Sequence, residues 1–231
     1  SIRVPVSGGP LGGSFSIIRP YLEYQKFLPD WLSKGRNTFA FRLQAMHMIP
    51  FGKLQSGAPM SAPFFERVFS GGEYDLRGFD LRSISPWAIS RKAILDSSGN
   101  PVIDPATGLP TISENVTPVG GDTSIVMSAE YRIPIMGPMQ LVPFVDFGTS
   151  TIVKTSNLVL FGPRTYVDLE ESTNGVWRMS TGAEIQFLMP MINQPFRLIF
   201  AYNPMKLDTS IVQRGVRFPL REPTKNIRFT V

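Results

Sequence analysis

Arg77 lies near the end of the run Gly71-Gly72-Glu73-Tyr74-Asp75-Leu76-Arg77-Gly78-Phe79, the stretch around which the chain is organised. Its paired glycines leave the backbone free to take positive φ. The arginine offers five donors in a planar fork, a geometry suited to carboxylates arranged to meet it. Two carboxylates elsewhere share one side of the expected strands. Glu130 and Asp146 lie in segments that alternate apolar and polar residues, and the alternation puts both on the polar faces of adjacent strands. Neighbouring carboxylates repel, and a cation delivered between them removes that cost through charge-assisted bonds. Paired carboxylates also act as acid and base in glycoside hydrolysis. An arginine between them favours the charged form of both, whereas acid catalysis needs one protonated. Carboxylates held in that way would not be catalytic, and no catalytic residue is expected.

Other chemistries find little support. The chain has no cysteine, which removes disulfides, thiolate nucleophiles and thiolate-bound metals. Gly71-Gly72 is not followed by Lys-Ser/Thr and no strand-to-helix pattern frames it, so it is not a phosphate loop. His47 is the single histidine, and no base partner or co-ligand stands at matching spacing. It reads as structural, and no metal or cofactor is expected.

Strands must position these residues. Among 231 residues there are 20 glycines, 21 prolines and 17 phenylalanines, and 23 Lys and Arg face 18 Asp and Glu without forming blocks. Charge spread this way is a solvated surface, and no nucleic-acid partner is expected. The longest uncharged run, Val4 to Ile18, is 15 residues with four glycines and two prolines, short of the roughly 20 apolar residues of a membrane helix. Without such helices, a chain that spans a membrane must do so as a closed β-barrel. The opening at Ser1, without a signal peptide, reads as a mature or excised fragment.

Period-two alternation predicts strands over Ser14–Gln25, Asn37–Met48, Asp122–Ile133, Gln140–Gly148 and Trp177–Met189. Two more carry Phe196, Leu198, Phe200 and Tyr202, and then Ile227, Phe229 and Val231, for seven in all. Pro143 falls inside a strand, where a bulge is expected. Between the second and third strands runs a long loop, 49–121, holding the arginine motif and a hairpin arm over Leu81–Ala93; Thr149–Gly175 reads as a second loop and Pro190–Pro195 as a turn. Mid-strand charges at Arg42, Glu130, Asp146 and Glu184 argue against a soluble sandwich, whose core would not tolerate them unpaired. Large apolar outer faces with Tyr131, Trp177 and Tyr202 at strand ends fit lipid and an aromatic girdle. The fold expected is an all-β transmembrane antiparallel barrel, residues 1–231 forming one domain.

The order of motifs also resembles a known family. GGEYDLRGF, with its Gly-Gly pair and Arg-Gly-Phe, is similar to the sixth extracellular loop of the outer-membrane protein assembly factors typified by BamA. GGDTSIVMSAEYRIPI, LVPFVDFG, WRMSTGAEIQFLMP and PFRLIFAYNP resemble the strands that follow it, and NIRFTV the start of the last strand. The resemblance implies the C-terminal portion, about seven strands, of a sixteen-stranded barrel whose loop folds into the lumen. It further implies that Gly71, Gly72, Arg77, Gly78 and Phe79 form the lumen motif, that Glu130 and Asp146 bind it, and that closing residues follow Val231. The implied function is insertion of β-barrel clients into the bacterial outer membrane through a laterally opening seam, without cofactor or covalent catalysis. Membrane lipid, unfolded barrel clients and accessory lipoproteins are the implied partners. A two-partner-type secretion transporter of the same superfamily is the alternative, and a passive porin a weaker one.

Overall fold

Seven long strands build one antiparallel meander. In the computed structural model of the chain, which describes residues 1–8, 15–53, 61–158, 165–188, 195–213 and 216–230, they are β1 (Tyr21–Pro29), β2 (Thr38–His47), β3 (Thr123–Met136), β4 (Met139–Thr151), β5 (Arg178–Leu188), β6 (Pro195–Met205) and β7 (Lys225–Thr230). They lie side by side in chain order, and Ile2–Arg3 adds a short strand beside β1. The register sets Met127 opposite Phe147, Leu141 opposite Ile185 and Phe200 opposite Ile227. These apolar residues share one face, where Met127, Val145, Phe200 and Ile227 stay exposed. Ser128, Asp146, Ser180, Glu184 and Asn203 are buried on the other. One face for lipid and one for the interior is the barrel pattern.

Aromatic residues mark both ends of the apolar band. Tyr131 stacks against Phe39, centroids 4.6 Å apart, and donates to Asp30 in the β1–β2 turn at 2.6 Å. At the opposite end Phe147 stacks on Trp177 at 4.7 Å.

Several boundaries differ from the sequence expectation. The strand expected over Ser14–Gln25 is two elements: Ile17–Ile18 pairs with Val6–Ser7 and Ile49–Pro50 in a separate sheet, and β1 begins only after Pro20. Proline has no N–H for a ladder and restricts Arg19 before it, which separates the two. Thr149–Gly175 is not loop throughout, because β4 runs to Thr151 and Thr165–Leu169 pairs with Trp87–Ala93. Val167 and Leu169 there cover Ala88, Val119 and Ile152. The hairpin arm is completed by Ile112–Pro118 on the other side of Trp87–Ala93. Pro143 causes no bulge: pairing with β3 passes from Leu141↔Ile133 to Phe144↔Glu130 in unchanged register, and the shift falls at Met139/Gln140 instead. Gly12-Gly13, Gly162-Pro163, most of the Pro190–Pro195 turn and Val231 lie outside the described residues.

The interior is less polar than expected. Val126, Val142, Phe144, Ile199 and Ala201 are buried on the inner face. The long loop supplies their partners, since Leu76, Phe79 and Ile84 form a core cluster with Val126. Full burial of an aliphatic or phenyl side chain is worth about 1.5–3 kcal/mol, so these three side chains are the main apolar force holding the loop inside.

Candidate functional site: a loop clamped in the lumen

The motif occupies a small closed loop. Ser70 and Ile84 exchange backbone hydrogen bonds of 3.0 and 2.9 Å, closing its neck. Inside, the Gly71 N–H donates to Asp75 Oδ2 at 2.9 Å, and the Gly72 N–H to the Leu76 carbonyl at 3.3 Å. Gly78 has φ of +93°, a left-handed conformation that favours glycine. Any Cβ there would lie 2.8 Å from both Ala201 Cβ and Ser180 Oγ. Conformation and close approach together require glycine after the arginine.

Arg77 is 2% exposed and points into the sheet's inner face. Its Nε and Nη2 donate to the two oxygens of Asp146 at 2.8 and 2.7 Å, and its own backbone N–H reaches Asp146 Oδ2 at 3.1 Å. Nη1 lies 2.9 Å from Glu130 Oε1 and 3.1 Å from Glu184 Oε2. The guanidinium rests on the Phe144 ring, 3.9 Å from its centroid. One side chain therefore ties the loop to β3, β4 and β5. Burial alone would lower the arginine's pKa, but hydrogen bonding and the charges of Asp146, Glu130 and Glu184 outweigh it and raise it. Within the loop, burial pushes the Asp75 carboxyl up, and the Gly71 N–H offsets part of that.

Of the residues singled out in the sequence, Glu130 and Asp146 both lie against Arg77, and Gly71, Gly72, Gly78 and Phe79 lie in the loop that carries it. The third carboxylate and what surrounds it are not singled out by the sequence. Glu184, fully buried, also accepts from Arg197 of β6, with Arg197 Nη2 2.9 Å from Oε2, and from Gln186 at 2.6 Å. Arg197 lies over the Tyr74 ring at 5.2 Å and donates to the Glu73 carbonyl at 3.3 Å. Beyond the arginine, the Gly78 carbonyl accepts from Asn203 Nδ2 at 2.9 Å and Asn226 Nδ2 at 3.2 Å, and Asp80 pairs with Arg228. The motif loop so contacts every strand from β3 to β7. The inward side of β6 was the available signal, but it reads Arg197, Ile199, Ala201, Asn203, half of it apolar. A cavity of about 280 Å³ flanks the clamp, lined in part by Arg42, Tyr74, Glu130, Arg132 and Gln186.

An antiparallel meander with a lipid-facing apolar surface and a charged loop anchored on its inner face defines a section of a transmembrane β-barrel. Comparison with known proteins makes the class specific. The chain belongs to the Omp85 superfamily, whose domain model matches residues 1–229. BamA, the outer membrane protein assembly factor of Nitratidesulfovibrio vulgaris, is 28% identical over 149 residues, covering 61% of this chain and 14% of that protein. The crystal structure of BamA from Haemophilus ducreyi lacking POTRA domains 1-3 matches with a TM-score of 0.55 at 18% identity, over 93% of this chain and 35% of the other. The chain thus spans a minor part of either relative. Its place is the bacterial outer membrane.

Proposed function

We propose that residues 1–231 are one C-terminal section of a barrel that inserts other β-barrel proteins into the outer membrane, and that residues 49–121 act as its internal brace. The observation that carries this reading is the Arg77 clamp, in which one loop arginine joins carboxylates of three successive strands. Such a brace holds the wall rigid, and its links through Asn226 and Arg228 reach β7, the strand paired with β6 at the seam proposed for clients. An exposed strand edge templates a client strand by β-augmentation, and lipid penalises any unpaired backbone group, so client strands gain by pairing there. Unfolded barrel proteins, membrane lipid and accessory lipoproteins are the proposed partners. No covalent step is involved, since each of the three carboxylates is engaged by arginine. Depleting the intact protein in its host and restoring it with an Arg77→Ala copy tests this. Folded outer-membrane barrels as a group should fall; loss confined to one secreted polypeptide would instead support a secretion transporter.

A further inference from the structure

Short connections gather at one rim of the meander and long ones at the other. Residues 30–37 join β1 to β2 and Gly137-Pro138 join β3 to β4, whereas 48–122 and 152–177 leave the opposite rim. Bacterial barrels keep short turns in the periplasm and longer loops outside, so the β1–β2 turn meets the periplasmic leaflet. Its conformation is fixed from within. The Asp30 N–H donates to the Asn37 carbonyl and the Gly35 N–H to the Asp30 carbonyl, both at 2.8 Å. The buried Asp30 carboxylate accepts the Leu32 N–H at 2.8 Å as well as the Tyr131 hydroxyl, to which Asn37 Nδ2 also donates at 2.7 Å. Tyr131 pairs with Phe39, and Phe39 with Leu28, on the outward face of the wall. The turn is thus tied to the lipid-facing side.

What this frame presents is apolar and basic. Trp31, 82% exposed, is the most exposed large apolar side chain among the described residues, and Leu32 beside it is 75% exposed. Lys34 and Arg36 are exposed in the same turn, and Arg36 lies within electrostatic reach of the Tyr131 hydroxyl. Lys26, on the outward row opposite Phe41, is exposed too, and a lysine stem can cross apolar surface to bring its ammonium to headgroup level. None of these three cations forms an ion pair among the described residues, and the turn's one carboxylate, Asp30, faces inward to its own hydrogen bonds. Tryptophan settles at the membrane interface, and basic residues beside it attract anionic headgroups.

We propose that the β1–β2 turn is an anchor for anionic phospholipid of the periplasmic leaflet. Trp31 and Leu32 enter the upper part of the acyl chains, and Lys34, Arg36 and Lys26 meet the headgroup phosphates. This inference rests on the fold and not on the assembly reading. Tryptophan quenching tests it on the intact barrel protein in phosphatidylcholine vesicles. Both leaflets carry a small share of lipid brominated high on its chains, either phosphatidylglycerol or phosphatidylcholine, so the direction of insertion is immaterial. The quenching lost in Trp31→Phe is the part that arises at Trp31. That part should correspond to about fivefold enrichment of the anionic glycerol lipid over the choline lipid, the scale of one basic residue at an anionic surface. Lys34→Gln combined with Arg36→Gln should keep the quenching and lose most of the enrichment. If Trp31→Phe removes none of the quenching, Trp31 lies outside the bilayer, as it would against a protein partner, and the proposal fails. It fails equally if the two brominated lipids quench Trp31 alike.

Discussion

At the scale of single residues, the three carboxylates around Arg77 are not equivalent. Asp146 is fully buried and takes three of the arginine's bonds, one from the backbone. Glu184 is as buried but shares its charge with Arg197, and Glu130 is partly exposed and also pairs with Arg132. Thermal unfolding of the intact barrel should therefore fall most for Asp146→Asn, less for Glu184→Gln and least for Glu130→Gln. Arg77→Ala leaves the carboxylates facing one another and should cost about 3–5 kcal/mol, the range for breaking a buried pair from one side. Arg77→Lys should recover only part, because an ammonium cannot bridge three carboxylates with a planar fork. Gly78→Ala should cost about 1–3 kcal/mol through overpacking against Ala201 and Ser180, apart from its backbone strain. These values would be read from denaturant unfolding of the refolded barrel. Alternation puts Glu130, Asp146 and Glu184 on one face, but it carries no information on how far along that face a loop arginine reaches, so Glu184 is not singled out by the sequence.

At the scale of elements, period two was the readable signal wherever both faces of a strand had distinct surroundings. β3, β4 and β5 were legible because lipid lies on one side and buried charge on the other. Ile17–Ile18 reads as continuous with β1 because alternation carries no information about which sheet a strand joins. Thr165–Leu169 gives no such signal because it pairs outside the barrel wall, against a hairpin arm far away in sequence. The facing itself can be tested on one strand. Ile185 pairs laterally with apolar Leu141 and Leu198, while Gln186 contacts Gln140 and Glu184 inside. Ile185→Lys should cost about 2–4 kcal/mol if it lies near the bilayer midplane, and Gln186→Lys clearly less, as measured by unfolding from lipid vesicles. Equal costs would contradict the facing, and a larger cost for Gln186→Lys would mean the strand faces the other way. β7 invites a second test, since it is held by β6 and by links from Asn226 and Arg228 to the motif loop. Removing both links with Asn226→Ala and Arg228→Ala should speed amide hydrogen exchange across Lys225–Thr230 while leaving β3 and β4 protected. Unchanged exchange in β7 would show that the loop does not hold it.

At the scale of the whole molecule, an apolar cluster and a charged cluster fasten the same loop, and they act at neighbouring points. Leu76, Phe79 and Ile84 draw the loop inward without direction, and Arg77 between them fixes its register against the wall. Hydrophobic burial explains why the loop enters the lumen, and the clamp explains why it stops in one position. Overall class was legible from the chain because mid-strand charge and an aromatic lipid face occur together only when the interior of a barrel can pair the charge. How the loop packs was not legible, because its apolar partners lie on the inner face among polar neighbours. The most direct test is a double-mutant cycle on the intact protein, using Arg77→Met and Asp146→Asn and measuring urea unfolding in lipid vesicles. The clamp predicts a coupling of about 2 kcal/mol between the two sites, within the range for residues in one buried network. Additivity to within about 0.5 kcal/mol, as seen for independent sites, would contradict it.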